Sequence, residues 1–228
     1  CGQIFYDFYW GSGFLPSRFQ GVKFRAGGDP VLYLQNPNGI TGQERRGMLD
    51  DLGKLNRMRH AEFGDPEILT RIAQYEMAYR MQTSVPELTD VAKEPKSVLD
   101  LYGPSVKERG SFAYNCLMAR RLIERGTRFV QLYHTNWDHH GGPGETLTKD
   151  LEKVTHDVDQ GCAALIKDLK ARGLLDDPLV IWGGEFGRPG LVPGNGKDET
   201  GHNARGFTFW LAGGGGKRGS VHGRTGDT

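Results

Sequence analysis

Carboxylate and imidazole side chains gather in two short stretches of this chain. His134-Thr135-Asn136-Trp137-Asp138-His139-His140-Gly141 offers one carboxylate and neighbouring imidazoles, and Gly183-Gly184-Glu185-Phe186-Gly187-Arg188 adds a second acid and a guanidinium. Carboxylate oxygen and imidazole nitrogen are the usual oxygen and nitrogen ligands of zinc, and carboxylates also suit manganese and magnesium. Adjacent histidines point in different directions, so one of His139 and His140 is expected to join Asp138. Glu185 is open to three roles: metal ligand, general base, or ion-pair partner of Arg188. Arg188 carries a planar fork suited to phosphate or sulfate oxygens. His202, in Thr200-Gly201-His202-Asn203, is a further ligand or acid candidate. Asp159 is either an outer group orienting a histidine or an ordinary helix-surface charge.

Positioning these groups requires regular elements on either side of them. Each stretch follows an apolar run, Arg128–Tyr133 in one case and Leu179–Trp182 in the other. Between them Leu147, Leu151, Val154, Val158, Leu165 and Leu169 keep helical phase up to Gly173. Strand, loop, long helix, strand, loop reads as a βαβ crossover, which would place both polar loops at the carboxyl edge of a parallel sheet. Phe207–Leu211 reads as a third strand beyond His202, followed by Gly213-Gly214-Gly215-Gly216. Upstream, Ser111 is a suitable N-cap for a helix carrying Phe112, Cys116, Ala119 and Ile123 on one face and closed by Gly126.

The first 41 residues, rich in aromatics, glycine and proline, read as irregular or hairpin-like structure. Met48, Leu52, Leu55 and Met58 then mark a helix ending near Gly64. Asp65 and Pro66 open a second helix with Ile68, Ile72, Tyr75 and Tyr79 on one face, expected to stop at Pro86. Both stripes read as core. Pro86, Pro95 and Pro104 make 86–110 a surface excursion with short helical turns. The expected organisation is one domain over 1–228, with 42–110 a mainly helical excursion and 111–228 the βαβ core.

Bulk properties narrow the partners. The 228 residues hold Lys+Arg 29 against Asp+Glu 28, a formal charge of +1 that favours neither nucleic acid nor an anionic membrane. A mean hydropathy of -0.53 describes a water-soluble composition, and no run approaches the length of a membrane span. Cys1, Cys116 and Cys162 are too few and too far apart for a disulfide framework or a paired-cysteine zinc site, and read as packing. Two other motifs fail on chemistry. Gly213–Lys217 has Leu211 where a phosphate loop needs its first glycine and Arg218 where it needs a magnesium-binding hydroxyl. Ser12 lacks the five-residue frame of a nucleophile elbow, which leaves a serine esterase weakly supported.

Trp10-Gly11-Ser12-Gly13-Phe14-Leu15-Pro16-Ser17, Gly28-Asp29-Pro30-Val31-Leu32-Tyr33-Leu34, Arg71-Ile72-Ala73-Gln74-Tyr75-Glu76-Met77-Ala78, Trp137-Asp138-His139-His140-Gly141, Trp182-Gly183-Gly184-Glu185-Phe186-Gly187-Arg188 and Phe207-Thr208-Phe209-Trp210-Leu211-Ala212-Gly213-Gly214-Gly215 closely resemble the domain of unknown function 1501 family, of the sulfatase-like, alkaline-phosphatase-like superfamily. The resemblance implies an α/β fold, a mostly parallel sheet flanked by helices, truncated at both ends in this chain. It implies a divalent metal, zinc first with manganese, calcium or magnesium as alternatives, held by Asp138, His140, Glu185 and His202. Arg188 would grip the substrate's anionic oxygens and is the catalytic candidate. Two positions depart from the family pattern, Pro189 where threonine is usual and Gly201 where aspartate is usual. The expected activity is metal-dependent hydrolysis of a phosphate or sulfate ester in an exported or periplasmic protein, although this chain carries no export signal. The nucleophile is expected upstream of residue 1. The alternative is a non-catalytic binding or scaffold protein that retains the fold.

Overall fold

The computed structural model describes residues 10–189 and 200–224. Cys1 and the opening Cys1-Gly2-Gln3-Ile4 stretch lie outside the described residues. Two compact units divide the chain, Gly2–Lys93 and Glu94–Thr228.

The first unit centres on an α-hairpin. Helix α1 (Gly42–Phe63) starts at Thr41, whose hydroxyl accepts from the Glu44 amide while Glu44 reaches back to the Thr41 amide, a reciprocal cap that satisfies two free donors. Gly64 closes it with φ 70, a left-handed turn that glycine adopts without strain. Helix α2 (Pro66–Thr89) opens on the Asp65 cap with Pro66 in its first turn. It then runs through Pro86, where a stop was expected. The hydroxyls of Thr83 and Ser84 both bond the Arg80 carbonyl in the turn just before the proline, and the helix closes three residues later. Leu49 and Gly53 are the buried residues of α1, whereas Met48, Leu52, Leu55 and Met58 are exposed, so the stripe expected to be core is a surface of this unit. Residues 10–41 form turns and a short 3-10 helix at Ser17–Phe19.

The second unit is built on three helices: α3 (Lys96–Tyr102), α4 (Phe112–Glu124) and α5 (Asp150–Ala171). Ser111 caps α4 by accepting from the Tyr114 amide, and the chain turns away through Gly126 at φ 80. Gly161 of α5 sits where a Cβ would be 3.2 Å from the Phe112 ring and 3.3 Å from the Ala113 Cα, so the helix backbones approach closely there. Further along, Arg120 meets Asp168 and Glu124 meets Arg172, pairs 48 residues apart in both cases, so the two helices run parallel. Cys116, Leu117, Ala164, Leu165 and Leu169 fill the seam; each fully buried leucine contributes roughly 1.5–3 kcal/mol of transfer free energy. Tyr102 and Val106 are also buried, which makes the Pro95–Pro104 region part of a core and not a surface excursion.

A charged cluster lies inside this helical layer. Arg120, 2% exposed, pairs with Glu94 at 2.7 Å, Glu124 at 2.5 Å and Asp168 at 3.0 Å. Arg121 pairs with Glu94 as well, Arg172 reaches Asp168 at 2.7 Å, and the Tyr102 hydroxyl donates to Asp168 at 3.2 Å.

The expected α/β fold with a mostly parallel sheet is overturned. The described regular structure is predominantly helical, with one two-stranded sheet whose strands, β1 (Leu179–Gly183) and β2 (Phe209–Gly213), are antiparallel from Leu179↔Gly213 to Gly183↔Phe209. Two causes are visible. Residues 128–133 join no ladder among the described residues, so the crossover has no first strand. After β1 the chain doubles back through the Gly187↔Asn203 bridge, so the third expected strand returns beside the second in the opposite direction. Continuous apolar sequence, taken as the mark of a central parallel strand, here makes a ribbon with Ile181 60% and Leu211 62% exposed.

Candidate metal centre

Aromatic packing fixes the first polar loop. Phe112 of α4 meets the His134 ring edge-on at 5.4 Å, His134 meets Trp137 at 5.7 Å, and Trp137 meets Trp182 of β1 at 5.9 Å. Trp182 stacks on Trp210 of β2 at 6.3 Å. This file of rings ties helix, loop and ribbon together and sets Asp138 beside the ribbon end. Asn136 takes a left-handed φ of 67 just before Trp137, a conformation that asparagine tolerates better than most residues.

The second and third polar stretches are stitched to each other. Gly187 and Asn203 exchange amide-to-carbonyl hydrogen bonds of 3.1 and 2.8 Å. A Cβ at Gly187 would lie 1.8 Å from the Gly206 carbonyl oxygen, so only glycine permits the bridge. Arg188 and His202, next to the bridged pair, are thereby delivered to the same place. Phe186 stacks on the His202 ring at 5.2 Å.

Asp138 is the centre of the arrangement. Its Oδ1 lies 2.8 Å from His202 Nε2, 2.9 Å from His140 Nε2 and 2.6 Å from Arg188 Nη2. These contacts, His202 and Arg188 first, hold the Asp138 carboxyl well below the ordinary carboxylate range. One ligand atom from each of Asp138, His140 and His202 lies within 4.8 Å of the others. Ligands around a tetrahedral zinc sit about 3.3 Å apart, given bonds of about 2.0–2.2 Å, so the spacing fits a single ion after small movements.

The protons of His140 are informative. Its Nδ1 is 2.7 Å from the Thr200 carbonyl oxygen, which can only accept, so Nδ1 carries a hydrogen and donates it. In the neutral ring Nε2 then holds a lone pair, aimed at a carboxylate oxygen. Two electron-rich atoms at 2.9 Å require a cation between or on them, either a second ring proton or a metal. An imidazole whose far nitrogen donates to a backbone carbonyl is the arrangement typical of a metal-bound histidine.

The remaining candidates are placed differently. Arg188 donates to Asp138 and, at 3.4–3.5 Å, to the carbonyls of Trp137, His139 and Gly201. Glu185 is exposed and stands outside the trio. His139 is buried, so its neighbour His140 is the one that reaches Asp138. Asp159 is an exposed helix residue, and the α5 acid that approaches a loop histidine is Asp157, 4.0 Å from His134. Thr200 escaped sequence reasoning because its contribution is a main-chain carbonyl, which no side-chain pattern marks. Burial pushes the Cys162 thiol up to about 11 and the Cys116 thiol well above its ordinary value, which fits packing and not nucleophilic chemistry.

A family model for proteins of unknown function, DUF1501, matches residues 2–228. The chain belongs to the DUF1501 family. Comparison with curated proteins and with solved structures gave no match. The DUF1501 match spans all three polar stretches, so the trio and Arg188 lie within the family's own sequence. Among the described residues of this DUF1501 chain, no helix is long and apolar enough to cross a membrane.

Proposed function

We propose that Asp138, His140 and His202 hold a divalent metal, zinc first, in a hydrolase acting on phosphate or sulfate esters. The observation that carries the metal reading is the His140 ring, with Nδ1 donating to the Thr200 carbonyl and Nε2 facing Asp138 Oδ1. Bound there, a divalent ion would polarise the ester and lower the pKa of a nucleophile. Protein groups supply the rest: the Thr200 carbonyl fixes the imidazole, Phe186 fixes the second imidazole, and Arg188 offers a cationic fork for the ester's oxygens. The trio is open to solvent, as a site for a soluble substrate must be; the Asp138 side chain is 65% exposed. The choice of phosphate or sulfate esters, the sulfatase-like relationship and an exported location rest on the resemblance of the sequence motifs. Glu185, on the same hairpin as Arg188, remains the proposed fourth protein ligand.

Elemental analysis of zinc-supplied protein and of His140→Ala, with a panel of phosphate and sulfate monoesters, tests this reading. One zinc per chain in the wild type, lost in His140→Ala, is the expected result, with turnover following the metal. Folded wild-type protein without stoichiometric metal would sink it.

A further inference from the structure

We infer that Arg188 is a stand-in cation on Asp138, displaced when metal binds and thereby released to grip an anion. This rests on the metal reading above and adds an order of events to it. Arg188 Nη2 lies 2.6 Å from Asp138 Oδ1, the shortest of the three contacts to that oxygen. The other contacts of the guanidinium are 3.4 Å to the Trp137 carbonyl, 3.4 Å to that of His139 and 3.5 Å to that of Gly201. Amide-like donors bond oxygen best at about 2.9–3.0 Å, so Arg188 has one strong anchor and three weak ones. Its strong anchor is the only carboxylate of the trio.

Asp138 carries one negative charge, and in the metal-free protein the guanidinium beside it neutralises that charge. A divalent cation on the same carboxylate takes over the role and repels Arg188 across the shared oxygen. The three long carbonyl contacts are too weak to replace the lost partner. What then satisfies the planar fork is an oxyanion with two oxygens at matching spacing, the feature shared by phosphate and sulfate groups. Metal and anion are therefore coupled through one side chain, and the coupling is reciprocal. Without an anion Arg188 opposes the metal; with one it ceases to.

Calorimetric titration of wild type and Arg188→Gln with zinc, alone and in saturating inorganic phosphate or inorganic sulfate, reads this coupling. Without anion, Arg188→Gln binds zinc about ten-fold tighter than wild type. Phosphate or sulfate raises the zinc affinity of the wild type about ten-fold and that of the variant by no more than about two-fold, within the usual span of such couplings. Near-UV dichroism of the Trp137–Trp182–Trp210 file reports whether the variant keeps the loop. A variant with that signal intact and zinc affinity equal to or below wild type overturns the exchange. A second readout needs no substitution: the Arg188 Nη resonances of the wild type are resolved and slowly rotating without zinc, and sharpen into fast rotation when zinc is added. Unchanged resonances in zinc-saturated, anion-free protein overturn it too. Wild type that takes up no zinc overturns the metal reading and this inference together, whereas zinc uptake without exchange overturns this inference alone.

Discussion

Two charge clusters in the second unit use the same atoms to opposite ends. Around Arg120, three arginines and three carboxylates are balanced and carried mostly on helices α4 and α5, with Arg120, Arg121, Glu94 and Asp168 buried and Glu124 and Arg172 at the margin. Around Asp138, one carboxylate faces a guanidinium and two imidazoles, all on loops and all partly open. A matched, buried set has no capacity for another ion. An unmatched, accessible set can exchange one of its members, and this property separates a candidate site from a structural brace.

The largest expected effect breaks the brace. Arg120→Met leaves Glu94 and Asp168 without their shared partner in a dry environment and lowers unfolding free energy by about 3–5 kcal/mol in urea titration, whereas Asp138→Asn shifts it by less than about 1 kcal/mol. A brace variant as stable as wild type would erase the distinction. Next, zinc at about a hundred times its dissociation constant raises stability by about 2.7 kcal/mol, and Asp138→Asn or His140→Ala abolishes the rise in a thermal scan. Chelation with EDTA should return the wild type to its starting value. Gly187→Ala sharpens the contrast from the backbone side. Its methyl would meet the Gly206 carbonyl, so zinc affinity falls at least ten-fold while helical circular dichroism stays unchanged.

The smallest effect concerns the start of α5. Asp150 accepts from the Thr146 amide at 3.0 Å and hydroxyl at 2.7 Å, which lowers its pKa to about 2. Its unfolded value is about 3.9, so the folded state binds the proton less readily. The resulting stabilisation is complete above about pH 4 and disappears as pH falls toward 2. Asp150→Asn should flatten the acid limb of the stability profile over that window and leave zinc binding at neutral pH untouched.

What was legible in the sequence was local. Asp65 and Ser111 sit at helix starts, and Gly64 and Gly126 at helix ends, because capping depends on a few adjacent atoms. Asp138, His140 and His202 could be nominated from residue type. Their convergence depended on the Gly187↔Asn203 bridge and on the Trp137–Trp182 contact, both long-range. Strand direction was not legible: Leu179–Trp182 is equally apolar for a parallel or an antiparallel neighbour, and Arg128–Tyr133 has strand composition but forms no strand among the described residues. The Met48–Met58 stripe shows the same limit, since periodicity names a face and not what covers it.

The parallel register of α4 and α5 has an electrostatic consequence. Peptide dipoles in each helix sum to a partial negative charge at its carboxyl end, and side-by-side parallel helices bring two such ends together. Arg121 in the last turn of α4 and Arg172 at the close of α5 stand at those ends, with Arg120 next to Arg121, and Arg125 also donates to the Arg121 carbonyl. The arginines therefore offset backbone charge as well as carboxylates, and an antiparallel pairing of the same two helices would need fewer of them.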